Sequence, residues 1–474
     1  MVIKQNIQIL FIIILFFSLF TSFYEKKLFL NDNIITNENE KLLFVWEHFR
    51  HGAREPYTQI NKTTWIDYIG VQWKSEGELN SLGLRAHYLL GTATKNRYKE
   101  FLSQNFDTNE IFIISTDSNR TIVSAISNLQ GIYHNYTTPN LTQNQIKHAK
   151  ISGLNQTYKE KIDEMINKLN NSYVKDGVSI MPIHVFSKVG FQFLLNSASY
   201  CPQSTIYKKE AQEQEKVKEI VENFINVTNN TYGEYIFKFM NVSSELNPKY
   251  LYDNNSLNYI CDTYIADYVF GRDMPHINNT GIDMDKFYEH CLNYSIIDLY
   301  YISYGLPPTK LAYLAVSPMF TTIFNYMDRR IKLNEKNNTN KLDPSSPKFV
   351  IYSGHDSTVS AMDVFLKAEF NIEYENPVYT TSQLFELWQN KSGYFIKYLY
   401  NHNEKATYEL NSFKEKINKV IFSENEINEF CGISDEHYIE QKSLYETIFY
   451  IICGIVFILI LLLISLYILN RKKM

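Results

Sequence analysis

Leu42-Leu43-Phe44-Val45-Trp46-Glu47-His48-Phe49-Arg50-His51-Gly52-Ala53-Arg54-Glu55-Pro56 is the stretch around which this 474-residue chain is organised. A run of large apolar residues, cut off by a glycine and then a proline, reads as a buried strand that delivers polar residues into a crevice at its carboxyl end. Open α/β sheets carry their sites there. Arg50 and Arg54 bracket the His51 imidazole, and Gly52 between them is read as letting a ligand approach the backbone closely. Such a set suits a doubly charged, fork-shaped anion such as phosphate, with a nucleophile at its centre.

Two further stretches repeat the pattern. Ile111 to Ile114 is a continuous apolar run of strand type, followed by Ser115-Thr116-Asp117-Ser118-Asn119-Arg120-Thr121 and a helix carrying Ile122, Ile126 and Leu129, with Gly131 as its expected stop. Arg120 then falls at a helix N-terminus, where free backbone N–H groups and the helix dipole favour an anion. Phe349 to Tyr352 is the third run, and it ends in Ser353-Gly354-His355-Asp356 at the start of another helix. A parallel sheet brings such strand ends together on one side, so Arg50, His51, Arg54, Arg120, His355 and Asp356 are the expected constellation.

Between and beyond these runs the pattern is plainer. Ser81 is expected to cap a helix with Leu82, Ala86, Leu89 and Ala93 on its inner face, in which Arg85 and His87 are read as structural. From about residue 136 to 275 strand-type runs stop. Val217, Ile220, Val221, Phe224 and Ile225 mark an amphipathic helix there, and the charged run Lys208 to Lys218 is read as a solvated helix face. Ser317-Pro318 is expected to open a helix, and residues 378 to 400 read as a hairpin that extends the sheet.

The motifs Arg50-His51-Gly52-Ala53-Arg54-Glu55-Pro56 and His355-Asp356, together with the block from Gly77 to Gly91, resemble the histidine acid phosphatases, a branch of the histidine phosphatase superfamily. The resemblance spans most of residues 42 to 400, although Trp46-Glu47-His48-Phe49 replaces a more uniformly apolar first strand. It implies an α/β domain of the phosphoglycerate-mutase-like kind, a mostly parallel central sheet flanked by helices, with a smaller all-helical cap inserted. It also implies a phosphomonoesterase with an acid optimum and no metal or other cofactor. His51 is then the nucleophile that becomes a phosphohistidine, Asp356 the proton donor, and Arg50, Arg54, Arg120 and His355 the phosphate-binding set. The expected partner is a small-molecule phosphomonoester. A membrane-anchored phytase-like phosphatase and a catalytically inactive receptor-like ectodomain are the alternatives.

Composition sets the outer limits. With 45% hydrophobic and 15% aromatic residues the chain can bury a sizeable core, and a net charge of −5 excludes a general nucleic-acid binder. Residues 7 to 20 follow Lys4 as an apolar run ending near Thr21 and Ser22, which reads as a signal peptide. Residues 448 to 469 carry no charge and precede Arg471, Lys472 and Lys473, the pattern of a membrane helix with a cytosolic tail. The expected order is therefore a signal peptide (1–22), an α/β catalytic domain in two pieces (23–135 and 276–431), the helical cap (136–275), a stalk (432–447), a transmembrane helix (448–469) and a cytosolic tail (470–474). That layout makes a single-pass type I membrane glycoprotein of lysosome, phagosome or cell surface, with homodimerisation open. Cys201, Cys261, Cys291 and Cys431 fall on the oxidising side and allow three pairings, of which Cys201 with Cys291 and Cys261 with Cys431 is the preferred reading.

Overall fold

A computed structural model describes residues 40–57, 76–134, 140–148, 181–185, 201–240, 256–271, 281–307, 309–337 and 343–432, with a few single residues between 160 and 169. The expected signal peptide, the expected stalk beyond Gly432, and the expected membrane helix and cytosolic tail lie outside the described residues. Among the described residues no helix is long and apolar enough to cross a membrane.

Among the described residues seven strands form one sheet. In chain order they are β1 (Lys41–Arg50), β2 (Ile111–Ser115), β3 (His184–Val185), β4 (Phe349–Gly354), β5 (Ser382–Asn390), β6 (Gly393–Tyr400) and β7 (Asn403–Glu409). Their spatial order is β3-β2-β4-β1-β5-β6-β7. The β1–β4, β2–β4 and β2–β3 pairs are parallel, whereas β1–β5, β5–β6 and β6–β7 are antiparallel. The sheet is thus mixed rather than mostly parallel: the expected hairpin is present as β5 and β6, and β7, whose residues are largely polar and exposed, adds an unforeseen edge. The region expected to be an all-helical cap also holds β3, a short strand that joins the sheet beside β2.

Each face of the sheet is covered. One face buries Trp46, Val350, Tyr352, Phe385 and Tyr398 under helices α8 (Lys310–Glu335), α9 (Asp356–Phe370) and α10 (Leu410–Asn418). The other buries Val45, Phe49, Ile113, Ile351 and Trp388 under α1 (Ser81–Arg97) and α2 (Asn119–Ile132). Two covered faces explain why β1 and β4 read as continuous apolar runs.

Three helix readings need correction. The N-cap of α1 is Asn80, not Ser81, and its buried side is Gly83, His87, Gly91 and Thr94, while Leu89 is 54% exposed. The reason is backbone-to-backbone contact with α2: a Cβ at Gly91 would lie 2.0 Å from the Asn128 carbonyl oxygen. Gly131, expected to stop α2, lies inside it for the same reason, since its Cβ would meet the Tyr88 carbonyl at 2.0 Å. Helix α8 begins earlier than Ser317-Pro318, with Thr309 as N-cap accepting from the Ala312 N–H, and Pro318 lies in its interior.

The remaining helices are α3 (Gln143–His148), α4 (Ser204–Glu213), α5 (Glu215–Met240), α6 (Ser256–Phe270), α7 (Met284–Ile296) and, after α10, α11 (Glu424–Cys431). Helices α5, α6 and α7 share a small core of Ile236, Ile260, Tyr264, Phe287 and Tyr294, so the packing unit continues past residue 275. A π-helical segment, Ile297–Ile302, follows α7 directly.

The disulfides correct the preferred pairing. Cys261 of α6 joins Cys291 of α7 with Cα atoms 4.9 Å apart, and Cys201 joins Cys431 at the end of α11 with Cα atoms 4.7 Å apart. The first bond ties two helices that already pack on each other, and the second sits in a separate apolar cluster with Leu314 and Ile427. Both Cα separations fall inside the range a disulfide can span.

Candidate active site

The site lies at the carboxyl ends of three adjacent strands. Arg50 of β1 is in register with Gly354 of β4, and Ser115 of β2 with Ser353 of β4. The ladder runs on beyond the strands, with the His51 N–H donating to the Gly354 carbonyl at 3.0 Å and the Thr116 N–H to the Ser353 carbonyl at 3.1 Å. Backbone pairing therefore places His51, Thr116 and His355 side by side. All six expected residues are brought together: His51, Arg54, Arg120, His355 and Asp356 line one cavity of about 220 Å³. Arg50, Arg54 and Asp356 also line an adjoining cavity of about 260 Å³.

His51 is 2% exposed, and its Nδ1 lies 2.8 Å from the Gly52 carbonyl oxygen. A carbonyl can only accept, so Nδ1 carries the proton and Nε2 keeps its lone pair. Burial, and then the charges of Arg50 and Arg120, hold the imidazole pKa well below its ordinary value. Both effects favour the neutral form of His51.

Gly52 serves a different purpose from the one its position suggests. Its N–H donates to Ser124 Oγ at 3.1 Å, and a Cβ there would lie 2.5 Å from the carbonyl oxygen of Gly83 in α1. The close approach is to a helix backbone, not to a ligand. His87, on the same helix, is buried with Nε2 3.1 Å from the Arg50 carbonyl oxygen, which supports its structural reading.

The arginines are held by different partners. Arg50 Nη2 pairs with Asp356 Oδ2 at 2.8 Å, Nη1 donates to the Pro377 carbonyl at 2.6 Å, and the guanidinium lies 4.4 Å from the Tyr379 ring centroid. Arg54 is almost wholly buried and forms a fork-to-fork pair with Asp262 of α6, Nη2 to Oδ1 at 2.6 Å and Nη1 to Oδ2 at 3.3 Å. It also stacks 3.9 Å from the Tyr57 ring centroid. Arg120, in the first turn of α2, donates from Nη2 to His355 Nδ1 at 3.3 Å.

Since a guanidinium only donates, His355 Nδ1 is an acceptor there, and Nε2–H donates to Thr116 Oγ1 at 3.0 Å. His355 thus holds Arg120 and Thr116. Burial, followed by the Arg120 charge, lowers its pKa to about 4. Asp356 opens α9 and accepts from the Ser357 N–H at 2.8 Å. Burial pushes its pKa up, but Arg50, His355 and Arg54 outweigh that and leave it below the ordinary carboxylate value. Asn119 donates from Nδ2 to Glu78 Oε1 at 2.9 Å.

Several wall residues escaped the sequence reading. Lys208, in the run read as a solvated face, lines the catalytic cavity, and Asp262, Asp298, Tyr57 and Tyr379 line one or both cavities. Asp262 carries no motif or periodic signal. The π-helical segment that brings Asp298 and Leu299 to the wall belongs to a helix type often found at functional sites.

Comparison with known proteins agrees with this architecture. The profile of the histidine phosphatase superfamily (branch 2) matches residues 41–401. The chain belongs to this superfamily. Among its relatives, lysosomal acid phosphatase of Xenopus laevis is 23% identical over 377 residues, covering 78% of this chain and 71% of that protein. Prostatic acid phosphatase of Homo sapiens is 24% identical over 379 residues, covering 77% of this chain and 78% of that protein. The solved structure of the phytase from Citrobacter braakii superposes with a TM-score of 0.52 at 12% identity, over 83% of this chain and 100% of that one, a likeness of fold.

Proposed function

We propose that the chain is an acid phosphatase that hydrolyses phosphate monoesters through a phosphohistidine at His51. The observation that carries this reading is the tautomer of His51: Nδ1–H is tied to the Gly52 carbonyl, so the Nε2 lone pair is available beside Arg54 and Arg120 in the cavity and within the field of Arg50. Those arginines neutralise the phosphate oxygens and hold the in-line geometry on which phosphoryl transfer depends. His51 Nε2 attacks phosphorus, the ester P–O bond breaks, and protonated Asp356 gives its proton to the departing oxygen. Water then attacks the phosphohistidine, Asp356 takes a proton from it, and inorganic phosphate and free His51 are regenerated.

Asp356 is ionised in the free site because Arg50 holds it. A bound phosphate competes for Arg50, which removes the main stabiliser of the carboxylate and raises its affinity for a proton. The same competition draws Arg120 from His355 and frees that imidazole to turn towards a phosphate oxygen.

The two disulfides favour an oxidising compartment, as does the apolar segment at 448–469, and both support a lumenal or extracellular site on a single-pass chain. The test is hydrolysis of an aryl phosphate by the purified full-length chain across acid to alkaline pH, with and without a chelator. Chelator-resistant turnover that peaks in acid is expected. Folded protein without turnover at any pH would make the receptor-like reading the better one.

A further inference from the structure

The cavity of about 260 Å³ beside the phosphate site is where the alcohol portion of a substrate must sit, since it shares Arg54 and Asp356 with the catalytic cavity. Its wall is aromatic and acidic. Tyr259, Tyr288 and Tyr379 supply rings, Leu299 an apolar surface, and Asp262 and Asp298 carboxylates. Apart from Arg50 and Arg54, no Lys or Arg lines it among the described residues.

The charges of the two cavities can be set against each other. With Asp298 ionised, which burial confines to pH values above about 6, Arg50, Arg54, Arg120 and Lys208 face Asp262, Asp298 and Asp356, which leaves a single positive charge among the described residues. One phosphate monoester, with one to two negative charges, uses that charge up. A second phosphate or a carboxylate on the substrate would lie against Asp262 and Asp298, whose partner cations among the described residues, Arg54 and Lys208, already answer those carboxylates. Asp262 is placed to act this way because it is fixed: both oxygens engage Arg54, and Oδ2 also accepts from the Tyr57 N–H at 3.0 Å.

Resting on the phosphatase reading above, we infer that Asp262 and Asp298 make this a charge-selective leaving-group pocket, favouring aromatic monophosphates that carry an ammonium group and rejecting substrates with a second anionic group. An ammonium over tyrosine faces gains cation–π attraction as well as the carboxylates. Asp262 in addition is a positioning residue for Arg54, so its removal alters both phosphate affinity and selectivity.

The test uses two aryl phosphates matched in phenol acidity, tyramine O-phosphate and the phosphate of 3-(4-hydroxyphenyl)propionate, assayed with the full chain above the Asp298 pKa of about 6, where that carboxyl and both side groups are charged. The wild-type kcat/KM ratio is expected to favour the amine by about tenfold at low salt and to shrink as salt is added. Asp262→Asn and Asp298→Asn should each bring the ratio towards one and improve turnover of inositol hexakisphosphate relative to the amine. Thermal unfolding of each variant identifies one that has failed to fold, in which case the other decides. A wild-type ratio near one, or a ratio unchanged in a folded variant with both substrates slowed equally, would overturn the inference while leaving the phosphatase reading intact. Absence of turnover of either probe by folded wild type would instead overturn the phosphatase reading.

Discussion

Asp356 and Arg50 hold each other at 2.8 Å across the ends of two parallel neighbours, β4 and β1. On the proposed mechanism, Asp356 is therefore held as a carboxylate until a phosphate competes for Arg50. Asp356→Asn is expected to slow substrates with poor leaving groups by about a hundredfold or more, and those with good leaving groups far less, because only the former need the proton. The check is a plot of log kcat/KM against leaving-group pKa, which should steepen in the variant. A parallel drop for every substrate would point to loss of binding instead.

His51 is kept neutral by burial and by the charges of Arg50 and Arg120, in that order. Removing one cation should raise its pKa. In Arg120→Gln the acid limb of the kcat/KM profile is expected to move to higher pH, on top of an overall loss from weaker phosphate binding. His51→Ala should lose at least about a thousandfold in turnover at every pH while keeping its thermal transition. Wild-type activity in that variant would refute the nucleophile assignment.

Glu47 is fully buried beside Thr94 and His402, and desolvation raises its pKa to about 8. The folded state holds a proton that the unfolded chain releases near its ordinary value of 4.5, so this contribution is complete below about pH 4.5 and is lost as pH rises to about 8. Glu47→Gln should therefore be more stable than wild type at pH 8, on the order of a few kcal/mol, with the gap narrowing towards pH 5. Denaturant unfolding at the two pH values measures it. His48, with its pKa lowered to about 4 by burial, works in the opposite sense: stability falls as pH drops from 6.5 to about 4.

Gly52 lies against the backbone of Gly83, with no room for a methyl group. Gly52→Ala is expected to destabilise by roughly 1–3 kcal/mol and to lower kcat, because the displaced backbone carries His51. Paired unfolding and kinetic measurements test this, and a variant of wild-type stability would show that the helix can withdraw.

Peptide mapping of the unreduced protein should recover Cys201 linked to Cys431 and Cys261 to Cys291. Recovery of the Cys201–Cys291 link would require a different arrangement of α6, α7 and α11.

Much of the site was legible because its residues follow apolar runs. Burial on two faces makes β1, β2 and β4 stand out, and the polar residues just beyond them fall where a parallel sheet gathers its ends. Asp262 was not legible. It reaches Arg54 from α6 only through tertiary packing, and nothing in its neighbours Cys261 and Thr263 announces that. The inner face of α1 was misread because contact with α2 is made by glycines, which a hydrophobic pattern cannot show. The start of α8 was misplaced because Pro318, usually found in a first turn, sits mid-helix. Glu47 and His48 broke the pattern of a buried strand, yet both are buried.

The position of β1 bears on how the molecule is made. The first strand described is the middle of the sheet, and its partners are β4 and β5, so Val45 meets Phe349 and Trp46 meets Phe385. During synthesis neither partner exists until the ribosome has passed the whole insert, and β1 must wait with its apolar edge unpaired. Pairing across such sequence distances is slow to form and open to misassociation meanwhile. The chain should thus depend on chaperones early, and the cavity at the end of that strand is among the last features to be completed.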